Sequence, residues 1–277
     1  MTMRIELVDV RLDHPRGASS PPLVTNASLG VAPGEVVVIV GAAGVGTSRI
    51  VAAALGEAPC AEGRIEVLGR DVAKLRRSSL RLLRRRIGII PQDLCLLEDR
   101  SAQLNVVLPL EIDGVPRAVS IARAAEVLAA MGLEDEASLP VDCLSASARQ
   151  RVAVARSLVR DPELILADHP TSWQDAVGAE RVCEAFYEAA VGRGASVVVF
   201  GRDPALRAIA ERNKWRQMAI IDGRLMAMEE LANQAIDDVL VAIDSIPVPI
   251  TQEDDDDDSA IPNLVRFPIT ARTAGAR

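Results

Sequence analysis

Aromatic residues are scarce in this chain, which has two Trp, one Tyr and three Phe among its 277 residues. Proteins that bind single-stranded nucleic acid rely on aromatic side chains that stack on the bases. The net charge of −8 also disfavours a polyanionic partner. No apolar run approaches the roughly 18 residues that a membrane-spanning helix requires. These absences exclude nucleic acid as the expected partner and a membrane span as an expected element.

Cysteine is scarce as well. Cys60, Cys95, Cys143 and Cys183 are far apart in the sequence and form no C-x-x-C pair, so the spacing indicates neither a metal site nor a disulfide framework. We predict four buried, reduced thiols, as expected in a reducing compartment. The first residues also lack the apolar segment of a signal peptide, so a cytoplasmic location is expected.

Charge is unevenly distributed along the chain. Residues 233–277 hold nine acidic and three basic residues, a net charge of −6, which leaves 28 basic and 30 acidic residues elsewhere, a net charge of −2. We predict one domain over residues 1–232. We expect an amphipathic segment (Gln234–Ser245) and an acidic tail with Asp254–Asp258 after it. That tail is either disordered, because its charges repel and little can be buried, or a partner-binding segment.

Short apolar runs alternate with longer helical patterns, which is typical of an α/β fold with a parallel sheet covered on both faces. The predicted strands are Ile5–Val10, Glu35–Val40, Arg64–Val67, Ile87–Ile90, Leu164–Ala167, Ser196–Phe200 and Met218–Ile221. The predicted helices are Ser48–Leu55, Ala118–Met131, Ala146–Val159, Val177–Val191 and Pro204–Arg212. Residues 94–160 contain no convincing strand and are predicted to form a helical insertion.

A glycine-rich stretch, GAAGVGTSRI (Gly41–Ile50), follows the apolar run that ends at Val40. Gly41, Gly44 and Gly46 can turn backbone N–H groups towards a phosphate, and Ser48 stands where a hydroxyl binds Mg²⁺. The phosphate-loop pattern G-x-x-x-x-G-K-[ST] requires lysine where this chain has Thr47. A hydroxyl cannot neutralise phosphate charge, and the neighbouring Arg49 is expected to point elsewhere. We therefore predict a loop that binds phosphate weakly.

Three further stretches follow the glycine-rich loop in the sequence: RRIGIIPQD (Arg85–Asp93), LSASARQRVAVARSLVRDPE (Leu144–Glu163) and LILADHPTSWQD (Leu164–Asp175). Together with the glycine-rich loop they resemble the nucleotide-binding subunits of ABC transporters. The stretch LLEDRSAQLNVVLPLEIDG (Leu96–Gly114) is similar to the cell-division ATPase family FtsE, with the lipoprotein-release ATPases as near relatives.

The resemblance implies a P-loop NTPase (RecA-like) core with a small antiparallel β subdomain and a helical ABC insertion. It implies ATP and Mg²⁺ as ligands, with Gln92, Ser145 and Asp168 added to the nucleotide site and Ser48 and Asp168 holding the metal. It also implies a homodimer, or a heterodimer with another ABC ATPase, bound to an FtsX-like integral membrane protein at the inner face of the plasma membrane. The tail is then a candidate contact for the division machinery.

Five points of the family pattern have changed in this chain. His14 stands where the family has an aromatic residue that stacks on adenine, and Thr47 stands in place of the lysine. His169 replaces the carboxylate that orients water, and Arg202 replaces the switch histidine. The signature glycines and the residue after them become Ala146, Ser147 and Ala148, whose Cβ atoms obstruct a close approach to phosphate. ATP binding is expected to be weak or absent.

Several functions stay open at this point. The changes favour a pseudo-ATPase with a structural or regulatory role in cell division. The alternatives are a slow ATPase that uses His169 and Arg202, and an ATP-binding switch of an ABC-type complex such as one for lipoprotein release. Trp173 either packs locally or anchors a dimer, since tryptophan is enriched among interface hot spots.

Overall fold

The computed structural model describes residues 3–15, 20–42 and 44–231. The strands are β1 (Ile5–Leu12), β2 (Val24–Val31), β3 (Val36–Gly41), β4 (Glu62–Val67), β5 (Arg70–Asp71), β6 (Ile87–Ile90), β7 (Leu164–Asp168), β8 (Ser196–Phe200), β9 (Arg216–Ile221) and β10 (Arg224–Ala227). The helices are α1 (Thr47–Ala54), α2 (Arg77–Arg84), α3 (Ala102–Ile112), α4 (Arg117–Ala130), α5 (Ala146–Leu158), α6 (Ala176–Arg193) and α7 (Pro204–Arg212). Short 3-10 turns cover Val72–Lys74 and Val141–Cys143.

The larger sheet has six strands in the order β10-β9-β3-β8-β7-β6. All of its neighbours are parallel except the β9–β10 hairpin. Every residue of β7 (LILAD) and of β8 (SVVVF) is buried. Such continuous burial requires a cover on both faces of the sheet, and it explains why these strands read as unbroken apolar runs.

Alternate residues of the central strand β3 face two separate cores. Val36 and Val38 belong to a cluster with helices α3 to α7, whereas Val37 and Ile39 belong to a cluster with α1 and the smaller sheet. Successive side chains of a strand point to opposite faces. The strand therefore joins both cores and fixes the position of the loop that follows it.

The smaller sheet is antiparallel, in the order β2-β1-β4-β5. Gly63 of β4 has φ +78°, and a Cβ there would lie 2.3 Å from the carbonyl oxygen of Val8. Only glycine accommodates that combination of left-handed backbone and close approach. This sheet lies beside α1. The start of β2 and the residue before it are next to the glycine-rich loop, since a Cβ at Gly46 would meet Leu23 and Val24.

Helices fill the segment between β6 and β7. Ser101 and Ser145 cap α3 and α5 by accepting hydrogen bonds from the backbone N–H groups of Leu104 and Ala148. A serine at this position satisfies an otherwise unpaired donor of the first turn. The helical content agrees with the expectation for residues 94–160, whereas the division into domains stays a prediction.

The seven predicted strands and five predicted helices are confirmed, with ends that differ by at most two residues. The strands β2, β5 and β10 and the helices α2 and α3 lie outside the predicted set. The strand β2 (VTNASLGV) contains Asn, Ser and Gly, which disfavour strands, and it is held by pairing with β1. The helix α3 contains Pro109, which reads as a helix breaker in the sequence.

The prediction of four buried cysteines was wrong. Cys183 is 1% exposed on the inner face of α6, but Cys95 and Cys143 are exposed and Cys60 is half-buried. Cys95 follows β6 in a loop and has φ +47°, while Cys143 ends a 3-10 turn. Both positions are outside the packed helices and strands, so these two thiols are exposed although cysteine is usually buried.

The predicted amphipathic segment and acidic tail, residues 233–277, lie outside the described residues. Within residues 3–15, 20–42 and 44–231, no helix has the length and apolar character to cross a bilayer.

Candidate functional site

Four sequence motifs meet at one edge of the larger sheet. The strands β3, β6, β7 and β8 are neighbours or near neighbours with parallel directions, so their carboxyl ends share an edge, where ligands of open α/β sheets bind. A cavity of about 970 Å³ opens there. Among the predicted site residues, it is lined by His14, Gly44, Gly46, Thr47, Ser48, Gln92, His169 and Arg202.

The glycine-rich loop turns into α1 through Gly46, which has φ +106° and no side-chain cap. A Cβ at Gly46 would lie 3.0 Å from the Cβ of Leu23, so both the backbone angle and the space require glycine. The first-turn N–H groups of α1 have no side-chain acceptor at the cap position, and an anion is their natural partner. The cavity therefore has the backbone of a phosphate site.

Arg49 lines the cavity, so the expectation that it points elsewhere was wrong. Helical side chains lean towards the N-terminus of their helix, and a long guanidinium side chain in the first turn of α1 reaches back over that end. Its Nε atom is buried without a hydrogen-bond partner in the described part of the chain. Beside it, Thr47 supplies only a hydroxyl at the position of the absent lysine.

Ser48, Asp168 and His169 form a closed hydrogen-bonded group. The Ser48 hydroxyl donates to Asp168 Oδ2 at 2.5 Å, and His169 Nδ1 lies 2.9 Å from Asp168 Oδ1. Since a carboxylate only accepts, this pairing assigns the proton to Nδ1 and leaves Nε2 of a neutral imidazole as an acceptor. Asp168 is 3% exposed, and both of its oxygens are occupied.

This group can hold Mg²⁺ through Ser48, which lines the cavity. A serine hydroxyl keeps two lone pairs for a metal while it donates its proton, as Ser48 Oγ does to Asp168 Oδ2 at 2.5 Å. That distance is shorter than the roughly 2.9 Å between adjacent ligands of an octahedral Mg²⁺, so only one of these two oxygens would bind the ion directly. His169 contributes an N–H where a second carboxylate is expected.

The backbone of His169 is held in a left-handed conformation, with φ +55°. Its N–H donates to Phe200 O at 2.7 Å, and its carbonyl accepts from Gln150 Nε2 at 2.8 Å and Ser172 Oγ at 3.0 Å. A left-handed non-glycine residue costs on the order of 1–3 kcal/mol and persists only where the surroundings determine it. The imidazole is therefore placed by the backbone and by Asp168 together.

Gln150 and Gln174 fasten the loop after β7 to the start of α5. Gln150 Oε1 accepts from Trp173 N and from Gln174 Nε2, at 3.1 and 3.0 Å. Ser147 Oγ donates to Gln174 Oε1 at 3.0 Å. Trp173 stays 60% exposed at the edge of the cavity, so the hypothesis of a locally packed indole was wrong, and the dimer-anchor hypothesis stays a prediction.

Three predicted site residues do not line the cavity: Gly41, Ser145 and Asp168. Gly41 ends β3, and Asp168 reaches the site through Ser48. Ser145 caps α5 and, with Ala146, lies away from the cavity of its own chain. The dimer that the resemblance implies stays a prediction.

Arg202 and Asp203 follow β8 and line the wall near His169. Asp203 caps α7 by accepting from Leu206 N at 2.9 Å, and its Oδ2 accepts from Thr171 Oγ1 at 2.6 Å. Both carboxylate oxygens are thus engaged. The side chain of Arg202 has no hydrogen bond or ion pair within the described residues, and it is exposed to the cavity.

Sequence reasoning missed Arg49, Gln150 and Asp203. The direction of first-turn side chains was the available signal for Arg49. Asp203 precedes Pro204 at a helix start, which is a recognisable cap pattern. The hydrogen bonds of Gln150 depend on the loop after β7 and have no signal in the sequence.

The comparisons with known proteins agree with this geometry. The ABC transporter family model matches residues 24–172, so this chain belongs to the ABC transporter family. It is 37% identical over 196 residues to the lipoprotein-releasing system ATP-binding protein LolD of Novosphingobium aromaticivorans, covering 70% of this chain and 88% of LolD.

Two further relatives are longer proteins. Identity to the methionine import ATP-binding protein MetN of Brucella abortus is 33%, over 81% of this chain and 59% of MetN. Identity to the macrolide export ATP-binding/permease protein MacB of Escherichia coli K12 is 36%, over 76% of this chain and 33% of MacB. The chain thus spans about three fifths of MetN and one third of MacB.

The dimeric post-hydrolysis structure of the ATP-binding cassette MJ0796, bound to ADP and Pi, has a TM-score of 0.73 at 28% identity and covers 79% of this chain and 95% of that one. The structure of cbiO1 from Clostridium perfringens has a TM-score of 0.71 at 20% identity, over 89% of this chain and 97% of cbiO1. The expected α/β P-loop NTPase fold, with its antiparallel sheet and helical part, is confirmed. ATP and Mg²⁺ are the usual ligands of this family.

Proposed function

We propose that this chain is the ATP-binding subunit of an ABC-type membrane complex and that it holds nucleotide with little or no hydrolysis. In this proposal it is an FtsE-like pseudo-ATPase that acts in cell division, peripheral at the inner face of the plasma membrane. Its partner there is an FtsX-like integral membrane protein. It works as a dimer, and its role is structural or regulatory.

One observation carries the pseudo-ATPase proposal: no free carboxylate faces the cavity among its described lining residues. Asp203 is the carboxylate there, and both of its oxygens accept hydrogen bonds. A water molecule that attacks phosphate needs a positioned general base or orienting group. His169 stands at that position with one nitrogen engaged by Asp168, so the remaining Nε2 is a weaker substitute.

The division role rests on the stretch Leu96–Gly114 and its likeness to the FtsE family. In the structure this stretch runs from the loop after Gln92 into α3, and it leaves Leu97, Leu108 and Ile112 exposed. Leu108 and Ile112 are four residues apart on α3 and therefore lie on the same face of the helix, and neighbouring exposed apolar side chains are typical of a protein contact surface. They support this region as the docking site for the membrane partner.

Lipoprotein release is the second candidate function. It is favoured by the 37% identity to LolD, whose length the chain covers to 88%. In that case the membrane partner is a lipoprotein-release subunit and the chain acts as an ATP-binding switch. Its nucleotide site is the same as in the division proposal.

Two measurements test these proposals. Steady-state phosphate release from Mg-ATP by the full chain, alone and co-purified with its membrane partner, should equal that of buffer. The double variant Thr47→Lys with His169→Glu is the comparator that restores both missing groups. A parent turnover above that of buffer that is lost in His169→Ala would establish the slow ATPase instead. Reciprocal pull-downs from detergent-solubilised membranes, with tagged FtsX-like and lipoprotein-release subunits, decide between the partners.

A further inference from the structure

We infer that the basic face of α2, formed by Arg76, Arg77, Arg81 and Leu82, binds the anionic headgroups of a lipid bilayer directly. The proposed function brings this chain to the membrane through a protein partner. The inference goes further, because it assigns a second contact, between the chain and the lipid itself.

Positive charge is concentrated in the segment Lys74–Arg86, which has seven basic residues and no acidic one. Four of these cations pair with carboxylates from other parts of the fold: Lys74 with Asp71, Arg84 with Glu57, Arg85 with Asp113 and Arg86 with Glu163. The side chains of the other three, Arg76, Arg77 and Arg81, are exposed and form no ion pair with any residue that the structure describes. Three positive charges therefore stay uncompensated at the surface.

The packing of α2 fixes the direction of these charges. Leu83 is 2% exposed and belongs to the core beneath the smaller sheet, and a Cβ at Gly56 would lie 2.9 Å from Leu80 Cδ2. Residues four apart share a side of a helix, so Arg77 and Arg81 lie together on the side opposite Leu83. Leu82 is 59% exposed beside Arg81. The outer side of α2 thus presents guanidinium groups with an apolar side chain next to them.

The basic face lies next to the region proposed to dock on the membrane partner. Arg85, at the end of α2, has its Nε 3.5 Å from Oδ1 of Asp113, the residue that ends α3. Ile112, one residue earlier, is 57% exposed. A partner that binds the exposed side chains of α3 would therefore bring α2 near the bilayer. Only this step rests on the proposed function.

Charge complementarity favours a lipid surface as the occupant. Basic clusters are attracted to anionic leaflets, and each arginine near such a surface strengthens binding by about fivefold. The long arginine side chains can extend to the headgroups, and Leu82 can enter the interfacial layer. Nucleic acid is a poorer match, because Lys74–Arg86 contains no aromatic side chain to stack on bases.

The test is co-sedimentation of the full chain, without any partner, with phosphatidylcholine vesicles that contain either no anionic lipid or about 30% phosphatidylglycerol. The whole chain carries a net charge of −8, so binding to anionic vesicles reports a local positive surface. We expect binding to the anionic vesicles only, at about 0.05 M salt, and its loss near 0.5 M, where charges are screened beyond about 4 Å.

The double variant Arg77→Gln with Arg81→Gln should weaken binding to the anionic vesicles by roughly tenfold or more. The matched control is Arg207→Gln with Arg224→Gln, which removes two exposed arginines of α7 and β10 that form no ion pair among the described residues. It lowers the net charge equally and should bind like the parent. Both variants change exposed side chains only, so their melting temperatures should match that of the parent.

Three results would overturn the inference: no binding to the anionic vesicles, equal binding to the neutral ones, or an equal loss in both double variants. Fluorescence anisotropy with a short DNA duplex covers the other polyanion. Binding to the duplex that depends on Arg77 and Arg81, without binding to vesicles, would assign the basic face to nucleic acid. Because the vesicles contain no protein, none of these results affects the proposed membrane partner, which the pull-downs test.

Discussion

At the scale of single residues, the site keeps the backbone conformation of a phosphate loop but has different side chains at the positions that bind phosphate and orient water. Gly44 and Gly46 keep the loop able to surround phosphate, while Thr47 and His169 remove a cation and an anion from their expected places. The two losses affect different steps, because the cation binds the ground state and the carboxylate orients water. Binding and turnover should therefore respond to different substitutions.

Thr47→Lys should strengthen Mg-ATP binding about tenfold or more, since a lysine ammonium adds a charge-assisted hydrogen bond of about 1.5–3 kcal/mol. It should leave phosphate release at the level of buffer, because His169 is unchanged. Calorimetry and a phosphate-release assay measure the two effects. Thr47→Gln, longer but neutral, is the control and should bind like the parent. Sustained turnover in Thr47→Lys alone would contradict the role assigned to the missing carboxylate.

The cysteines give a second prediction at this scale. The hydrogen bond from Cys143 to Asp142 raises the pKa of that thiol, and burial raises the pKa of Cys183 to about 12. A raised pKa means less thiolate, the reactive form, at any pH below it. Asp142→Asn should lower the pKa of Cys143 and speed its alkylation by iodoacetamide at pH 8, whereas Cys183 should react only after unfolding.

Mass spectrometry of timed alkylation measures each thiol separately. Asp99→Asn removes an exposed carboxylate that pairs with Arg100 rather than with a thiol, and it should leave the rate at Cys143 unchanged. Rapid labelling of Cys183 in the folded protein would show that α6 opens far more often than its packing indicates.

At the scale of elements, the loop after β7 is ordered by one buried side chain from α5. Gln150 is 1% exposed and makes hydrogen bonds with His169, Ser172, Trp173 and Gln174. The helix α5 thus controls the conformation of His169, Ser172 and Trp173, which line the cavity. Loss of this side chain should affect both stability and the site.

Gln150→Leu keeps the volume and leaves the N–H of Trp173 without an acceptor. We expect the melting temperature to fall by about 5 °C or more, from a cost of about 2–3 kcal/mol. Gln103→Leu on α3, a half-buried glutamine with no side-chain hydrogen bond among the described residues, is the matched control. Differential scanning calorimetry measures both variants. Equal melting temperatures for Gln150→Leu and the parent would mean that the loop is ordered by other contacts.

The elements also show how far the sequence alone reaches. The strands β7 and β8 are unbroken apolar runs, and their burial on both faces is visible in the sequence, so the sheet was predictable. The strand β2 was not, because its polar residues are tolerated only through pairing with β1. Thr47 and His169 were recognised as changed from motif spacing. The position of the Arg49 side chain in the cavity and the Ser48–Asp168 hydrogen bond were not predictable, because they depend on side-chain direction and on chain segments 120 residues apart.

At the scale of the whole molecule, charge is divided between two parts of the sequence. Residues 1–232 carry a net charge of −2 and residues 233–277 carry −6. Both hydrophobic clusters consist of residues before position 228. The acidic segment adds negative charge to the field that an anionic nucleotide meets on approach.

A chain that ends at Ala232 should melt within about 2 °C of the full chain, because a segment with so many like charges is expected to bury little apolar surface. It should bind ATP more tightly than the full chain at low ionic strength, since the repulsive net charge falls from −8 to −2. The difference should vanish near 0.5 M salt, where the screening length is only about 4 Å. Calorimetric titrations at two salt concentrations measure this. A full chain in which Asp254–Asp258 are all changed to Asn is the control that keeps the length, and it should shift affinity in the same direction. A large fall in melting temperature on truncation would instead place residues 233–277 within the folded domain and refute the boundary at 232.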